Sequence, residues 1–374
     1  MSAHANPDII DDGLVFLYDT DDGKSFKGEP TVNLVGAMTK SFSSWSGLTG
    51  STEYYTTSTG GQGVKLITTS SGGVRWYVSS TIYNIQASTQ YTISATVKYT
   101  GGTPHPNLLY VRQYDGNGQT SESGKFTTAN VRDLGGGWKR IWRTFTTDST
   151  TTHINLQGYE YTTGKTIYIQ DLQFELKSHA TQFAGVSTTR SATQGLIDRT
   201  GTSTINISNA SFDSNAQMTF DGTDDHVSLG NPTALRDLTA GTIETVYYRD
   251  ASSGTYQMIF TDAGSDLEIN YSANVLQFYI GNSGLSYTHA VTDQWFNVVG
   301  TWGASFKKLY INGVQVASGG NTGTDTGSRD RFVGGRGANF PFNGEIPIAK
   351  VYNRTLTAAE VLQNFNATKS RFGL

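Results

Sequence analysis

Three aspartates stand close together in the stretch MTFDGTDDHVSLG, at positions 221, 224 and 225. Carboxylate oxygens are the ligands that Ca²⁺ prefers, so Asp221, Asp224 and Asp225 would suit a calcium site, although their spacing is looser than that of an EF-hand loop. The alternative is a β-turn, because Asp-Gly and Thr-Asp-Asp segments form turns through hydrogen bonds between the aspartate side chain and its own backbone. The sequence favours the turn and leaves a structural calcium as the alternative; no other cofactor is expected.

Acid catalysis by a glycosidase would require two carboxylates facing each other at about 5–9 Å. An E-x-D-x-x-E string, which would place its acids on one face of a strand, does not occur, and Glu244, Glu268 and Glu345 are each isolated. The six histidines show no HExxH spacing, and no GxSxG elbow supports a serine nucleophile. A Ser–His–Asp triad assembled from distant segments stays open from sequence alone. We expect no catalytic residues and no enzyme activity.

Aromatic side chains beside polar ones favour a different activity, since flat rings stack on the C–H faces of sugars. Adjacent Trp76 and Tyr77 must point to opposite faces of a strand, so one of them is expected outside the core. The competing interpretation is that the aromatic residues build the core of a sandwich. The predicted glycan-binding residues are Arg75, Trp76, Tyr77, Tyr110, Arg112, Tyr114 and Trp142.

The elements that would position these residues are strands. In YTISATVKY (91–99), every second residue is apolar, which is typical of a half-buried strand. Similar segments recur along the chain and are separated by glycine-rich turns. Asn312-Gly313, between LYI and VQV, predicts a hairpin, because both central residues of a type I′ turn need positive φ.

A single helix is predicted at the C-terminal end. Thr357 and Glu360 have the spacing of a capping box, and apolar residues follow at helical spacing. Val361, Leu362 and Phe365 would pack this helix against a sheet. The sequence therefore predicts an all-β protein of two jelly-roll-type β-sandwiches with a short C-terminal helix.

Composition agrees with this fold class and excludes several functions. Only 16% of the 374 residues are charged, whereas 43 are Gly, 20 are Tyr and 18 are Phe, a bias toward strands and turns. A net charge of -4 without a basic stripe argues against nucleic acid as a partner. The absence of Cys excludes disulfides and zinc sites built from cysteine. With no apolar run of ~20 residues and no visible secretion signal, we expect neither a membrane partner nor export by a signal peptide.

The stretch 195–374 resembles the concanavalin A-like, laminin-G-type jelly roll. The resemblance is carried by MTFDGTDDHVSLG, WFNVVGTWGASFKKLYINGVQV, FVGGRGANFPFNGEI and AKVYNRTLTAAEVLQNFN. It covers nearly half of the chain and is more specific for fold than for function, because one fold hosts many functions. It also implies an ion at a loop rim, for which Asp330 in RDRF would be a distant calcium ligand beside the three aspartates.

The rest of the chain predicts the domain organisation. Residues 33–177 resemble a carbohydrate-binding-module-like β-sandwich through NLV, GWKRIWRTFT and TIYIQDLQFEL. GLVFLYDTDDGKSF resembles the first strand of the laminin-G-type domain, so 13–30 is expected to belong with 195–374 and the middle module to be inserted. Two domains in tandem behind a free arm are the alternative. Residues 1–12 are expected to form an N-terminal arm and 178–194 a linker.

The combination of modules and the connector KSHATQFAGVSTTRSATQGLIDRTG resemble structural proteins of tailed bacteriophages. The resemblance implies a non-enzymatic virion structural protein, a capsid decoration or a tail fibre or appendage, assembled in the host cytoplasm and located on the virion. Its expected partners are other virion proteins and cell-surface glycans, and a homo-oligomer stays open. The alternatives are a bacterial polysaccharide-binding adhesin, a glycan depolymerase, and a scaffold that binds no sugar.

Overall fold

The structure is a computed structural model. It describes residues 8–35, 51–58, 62–68, 74–77, 81–100, 105–123, 130–184, 189–250, 256–264 and 266–374, with the side chains of all these residues except 52, 54, 62 and 75–77. The chain divides into two compact units. Unit 1 consists of residues 1–30, 191–213 and 217–374, and unit 2 consists of residues 31–190 and 214–216.

The first strand, β1 (Leu14–Asp19), belongs to unit 1. It pairs antiparallel with residues 348–352 near the C-terminal end of the chain. Alternation sends Phe16 and Tyr18 into the core, where both are fully buried, and the Tyr18 hydroxyl donates a hydrogen bond of 2.9 Å to the Ile346 carbonyl. This N-terminal segment is therefore part of a sheet whose other strands follow much later in the sequence.

Unit 2 is a β-sandwich of antiparallel strands. Its larger sheet has the order β10-β11-β7-β13-β4-β3, the second has the order β5-β12-β8-β9 with β6 also paired to β12, and β14 pairs with β2. The two larger sheets enclose a core that includes Leu66, Ile93, Val111 and Leu156. The strands are β2 (Thr31–Val32), β3 (Ser51–Thr56), β4 (Gln62–Ile67), β5 (Val74–Tyr77), β6 (Ile82–Tyr83), β7 (Gln90–Thr100), β8 (Tyr110–Asp115), β9 (Gly118–Ser123), β10 (Val131–Gly135), β11 (Trp138–Thr146), β12 (His153–Glu160), β13 (Thr166–Glu175) and β14 (Thr189–Arg190).

Unit 1 is a second β-sandwich of two sheets. The eight-stranded sheet has the order β16-β17-β28-β19-β24-β25-β26, and its eighth strand, β1, pairs with β28. The seven-stranded sheet has the order β15-β18-β27-β20-β21-β22-β23. The remaining strands are β15 (Asn206–Asn209), β16 (Ser211–Phe212), β17 (Met218–Asp221), β18 (His226–Gly230), β19 (Gly241–Arg249), β20 (Tyr256–Asp262), β21 (Leu267–Ser272), β22 (Val275–Ile280), β23 (Ser283–Thr288), β24 (Trp295–Trp302), β25 (Phe306–Ile311), β26 (Val314–Gly320), β27 (Arg331–Val333) and β28 (Asn343–Tyr352).

The core of unit 1 lies between its two sheets. Ile243 and Val298 of the eight-stranded sheet are fully buried in one cluster with Ile269 and Phe278 of the seven-stranded sheet. Because side chains alternate along a strand, the residues between these core positions lie on the outer faces of the sheets. The predicted hairpin is confirmed: β25 and β26 are joined by Asn312 and Gly313, whose φ angles are 50° and 77°.

The α-helix α1 (Ala358–Thr368) follows the last strand, and short 3₁₀ helices occupy Thr233–Leu235 and Lys369–Arg371. The predicted capping box is present, since the Thr357 side chain accepts from the Glu360 backbone and the Glu360 side chain accepts from the Thr357 backbone. Val361 is buried as predicted. Leu362 is 46% exposed, yet it packs on the sheet together with Phe365, since a Cβ atom on Gly313 of the hairpin would come within 3.0 Å of Cδ1 of either side chain. Asn364, which was not expected to be inside, is fully buried.

The predicted fold class is confirmed: both units are built from antiparallel strands arranged as sandwiches, with one short α-helix at the C-terminal end of the described residues. Among those residues, no helix combines the length and the apolar run needed to cross a lipid bilayer.

Candidate functional site

A groove lies on the seven-stranded sheet of unit 1, on the face directed away from the core. On β21 and β22, residues such as Ile269 and Phe278 point into the core. The alternate positions of these strands therefore face outward. Glu268 stands directly opposite Tyr279 and Asn270 opposite Gln277 in the pairing of the two strands. Four side chains that can form hydrogen bonds are thus brought together as one patch.

The groove above this patch has a volume of about 320 Å³. Such a volume is at the lower end of the range for small-molecule sites, which combine apolar and aromatic walls with a few polar groups. The lining residues are Tyr256, Met258, Glu268, Asn270, Gln277, Tyr279, Gly281, Asn282, Arg336 and Phe340.

Aromatic rings form the walls. Tyr256 is 45% exposed and Phe340 is 41% exposed, and their ring centroids lie 5.9 Å apart at an interplanar angle of 66°. The ring of Tyr279 lies over Gly284, where a Cβ atom would come within 2.7 Å of the ring. The two exposed rings offer flat apolar surfaces at the edge of a polar floor.

Phe340 has a strained backbone. Its φ is 55°, in the left-handed region that bulky side chains rarely adopt. The turn is held by a hydrogen bond of 3.0 Å from the Met258 backbone N–H to the Phe340 carbonyl and by a β-bridge between Arg336 and Asn339. Strain of this kind costs about 1–3 kcal/mol and is concentrated at functional sites. This chain therefore has an exposed phenylalanine at a position where glycine would be less strained.

Glu268 is the centre of the polar floor. Its carboxylate accepts hydrogen bonds from Thr261 Oγ1 at 3.0 Å and from Asn270 Nδ2 at 3.2 Å, and it forms an ion pair with Arg336. The Arg336 guanidinium also lies 5.4 Å from the centre of the Phe340 ring. The acid, the cation and the aromatic wall are therefore linked to one another.

Two buried polar atoms of the groove have no hydrogen-bond partner among the described residues: Asn270 Oδ1 and Arg336 Nε. The Asn270 side chain belongs to a residue that is only 2% exposed. Buried polar groups are nearly always hydrogen-bonded, because leaving one unpaired costs about 1–3 kcal/mol. The floor thus contains one acceptor and one donor whose hydrogen-bonding capacity the described residues leave unused.

The predicted glycan-binding residues of unit 2 lie on two sheets. Tyr110, Arg112 and Tyr114 share the outer face of β8, whereas Trp142 lies on β11 in the other sheet. Tyr110 is fully buried, so its ring presents no free face. The backbone of 75–77 forms part of β5, and the side chains of Arg75, Trp76 and Tyr77 lie outside those that the structure describes.

Tyr114 stacks on His153, with ring centroids 5.1 Å apart and an interplanar angle of 9°. The ring centroid of Tyr83 also lies 5.5 Å from that of His153. Arg112 Nε donates to Glu122 at 3.1 Å. Sequence reasoning missed Tyr83 and His153 because both come from other strands. Glycan binding at this face of unit 2 stays a prediction.

Asp221 ends β17, and Asp224 and Asp225 precede β18, with carboxylate oxygens of the three residues within 4.8 Å of one another. Asp225 is buried and accepts hydrogen bonds from the Asp221 backbone at 2.8 Å and from Ser211 Oγ at 3.2 Å. The Thr223 backbone donates to Asp221 Oδ1 at 2.8 Å. Burial raises the pKa of Asp225, and the Asp221 carboxylate adds to the rise. These are the hydrogen bonds of the predicted turn.

A calcium ion takes six to eight oxygen ligands, and three carboxylates supply ligands of the right kind. Both oxygens of Asp225, however, already accept protein hydrogen bonds. Asp330 is not brought to this group, because its neighbour Arg331 pairs with Gly230, at the opposite end of β18 from Asp225. A calcium site stays a proposal limited to Asp221, Asp224 and Asp225.

The groove residues of unit 1 were not predicted as a site. The sequence does contain a signal, since Glu268, Asn270 and Gln277 interrupt apolar strands at alternate positions. Their outward direction follows from that pattern, but the aromatic wall does not, because Phe340 reaches the groove through a distant turn.

Comparison with known proteins agrees with this fold. Residues 221–362, which include most of the groove-bearing sheet, match the laminin-G-type family model of the concanavalin A-like lectin/glucanases superfamily. The predicted concanavalin A-like β-sandwich is thus confirmed for this part of the chain. No curated protein sequence matches the chain.

Several solved structures are similar. The binding domain of botulinum neurotoxin serotype D is 12% identical, with 48% of this chain and 50% of that chain covered and a TM-score of 0.38. The serotype G binding domain is 14% identical, with coverages of 47% and 49% and a TM-score of 0.40. The CBM40 module of the Ruminococcus gnavus IT-sialidase is 19% identical, with coverages of 38% and 93% and a TM-score of 0.34. The chain spans about half the length of the toxin domains that it matches.

Proposed function

We propose that unit 1 is a non-catalytic carbohydrate-binding domain and that the groove on its seven-stranded sheet holds the sugar. The observation that carries this proposal is the arrangement of two exposed rings, Tyr256 and Phe340, at the edge of a floor in which Asn270 Oδ1 has no partner among the described residues. Sugars present apolar C–H faces and hydroxyl groups together, and this groove offers a surface for each. The match of 221–362 to a lectin and glucanase superfamily supports the proposal.

Binding without turnover is proposed because Glu268 is the acidic residue among those that line the groove. Hydrolysis of a glycosidic bond by the usual route needs a second carboxylate about 5–9 Å away. The Glu268 carboxylate is also occupied within the protein, by the ion pair with Arg336 and by hydrogen bonds from Thr261 and Asn270. A reducing-sugar assay on any polysaccharide that binds should therefore remain at background.

The experiment that tests binding is a glycan array with the whole chain, followed by calorimetric titration of the glycans that bind. Tyr256→Ala and Phe340→Ala should each weaken binding by about tenfold or more. Tyr287→Ala and Phe306→Ala are matched controls, because both side chains are 37% exposed in unit 1 and neither lines the groove. Equal loss in all four variants, or no glycan bound by the wild type, would contradict the proposal.

We further propose that this binding serves a virion structural protein, as a capsid decoration or a tail fibre or appendage attached to other virion proteins. The support is the resemblance of the connector KSHATQFAGVSTTRSATQGLIDRTG and of the module combination to tailed-bacteriophage proteins. Immunogold labelling with antibodies against the chain tests the location. Label on purified particles is expected; label only on the bacterial surface would favour an adhesin instead.

A further inference from the structure

The groove contains a single pair of opposite charges. Among its lining residues, Glu268 and Arg336 carry charge, and they are bonded to each other. The net charge of the lining is therefore zero. We infer that the groove selects neutral sugars and discriminates against sugars that carry a carboxylate. This inference rests on the proposed function and adds the class of ligand to it.

The first argument is repulsion. Glu268 is only 4% exposed, and it lies in the floor that a sugar would contact. A ligand carboxylate in the groove would lie close to the Glu268 carboxylate, and like charges repel strongly where water is excluded. Arg336 does not remove this cost, because its charge is already opposed by Glu268.

The second argument is the match of donors and acceptors. Glu268 can only accept hydrogen bonds, and the unpaired atom of Asn270 is also an acceptor. A sugar hydroxyl can donate to either of them. An ionised carboxylate has no hydrogen to donate, so a ligand that placed its carboxylate, rather than a hydroxyl, against the floor would leave Asn270 Oδ1 unpaired.

The third argument is the geometry of the cation. An arginine that recognises a carboxylate presents two parallel N–H groups to it. In the groove, Arg336 Nη2 donates to Glu268, and the guanidinium packs near the Phe340 ring. The buried Nε has no partner among the described residues, and it is a single N–H, which suits a hydroxyl or ring oxygen.

The direct test needs no variant. Binding of the wild-type chain is measured by ligand-observed NMR for two matched pairs: methyl glucoside with methyl glucuronide, and methyl galactoside with methyl galacturonide. Each pair differs only at C6. At least one neutral member should bind about tenfold more tightly than its acidic partner. Equal or tighter binding of the acidic members would overturn the inference and leave the proposed function standing, whereas binding of none would overturn both.

A charge-removing variant tests the cause. Glu268→Gln keeps the size of the side chain and removes the repelling charge, so the preference for the neutral member should fall by about tenfold. Glu53→Gln is the control, because it removes the same charge from an exposed side chain in unit 2. An unchanged preference in folded Glu268→Gln would contradict the inference.

If Glu268→Gln does not fold, the salt dependence of the wild type gives the answer. Salt screens repulsion, so binding of the acidic glycosides should strengthen as ionic strength rises, while binding of the neutral ones stays constant. Weaker binding of the acidic members at high salt would indicate attraction to Arg336 and would overturn the inference.

Discussion

Asn364 of α1 donates a hydrogen bond of 2.7 Å from its Nδ2 to Oε2 of Glu244, a fully buried carboxylate on β19. The other oxygen of Glu244 accepts from Lys350 Nζ at 2.9 Å and from Asn297 Nδ2 at 3.0 Å. Asn364 Oδ1 also accepts from the Ile10 backbone at 2.8 Å. One amide therefore joins the C-terminal helix, the N-terminal segment and a buried ion pair of the eight-stranded sheet.

Asn364→Ala should destabilise unit 1 by about 1–3 kcal/mol, because it leaves a charged, buried oxygen of Glu244 without its donor. Hydrogen exchange read on peptides of unit 1 is the suitable measurement, since a chain of two compact units need not unfold in one transition. Gln363→Ala is the control on the same helix, because within the described part of the chain the Gln363 amide makes one hydrogen bond, a solvent-exposed one to the Asp8 carbonyl. Equal protection in both variants would show that the buried amide contributes little.

Stability should also depend on pH through Glu360. Hydrogen bonds from Arg354, and those from Thr357, lower the pKa of Glu360 from 4.5 to about 2. Since the folded pKa lies below the unfolded one, the stabilisation is complete above about pH 4.5 and is lost as the pH falls toward 2. Glu360→Gln should therefore lower the melting temperature of unit 1 at pH 7 and approach the wild type at pH 2 in scanning calorimetry.

Glu53→Gln is the control for this pH dependence, because the Glu53 side chain is 56% exposed and pairs with Lys65 on the surface of unit 2. Its effect on the melting of unit 1 should be small at every pH. A difference between Glu360→Gln and wild type that stays constant from pH 7 to pH 2 would contradict the assigned titration.

Much of this fold follows from short-range patterns in the sequence. The alternation of apolar residues on β7 and β21 determines which side of each strand is buried. The Asn312-Gly313 turn and the Thr357–Glu360 cap depend on backbone geometry that only a few residue types satisfy. These features could be predicted because each is decided by residues that are neighbours in sequence.

The parts that were missed depend on contacts between distant segments. Helical periodicity does not single out Asn364 for burial, yet this residue is fully buried, because it supplies a donor to Glu244 on a distant strand. The groove likewise needs Phe340 from one turn and Tyr256 from another strand. No local sequence pattern indicates that the rings of Tyr256 and Phe340 lie next to each other.

Phe340 offers a way to separate strain from function. At a φ of 55°, glycine is favoured over a residue with a Cβ by about 1–2 kcal/mol. Phe340→Gly should therefore be more stable than Phe340→Ala, while both lose the ring and weaken glycan binding equally. Thermal melting and calorimetric titration of the two variants check this. Binding retained in Phe340→Gly would show that the ring does not contact the sugar.

The aspartate turn gives the last prediction. Asp225→Ala should lower the stability of unit 1 by about 1–3 kcal/mol, because Asp225 accepts the Asp221 backbone and Ser211 hydrogen bonds from a buried position. Asp224→Asn is the matched control, because Asp224 is exposed and would matter equally only as a calcium ligand. Melting of all three proteins is measured with millimolar Ca²⁺ and with a chelator. With a turn alone, calcium changes nothing and Asp224→Asn melts like the wild type. A calcium-dependent rise in melting temperature that Asp224→Asn and Asp225→Ala both abolish would instead show that the three carboxylates hold an ion.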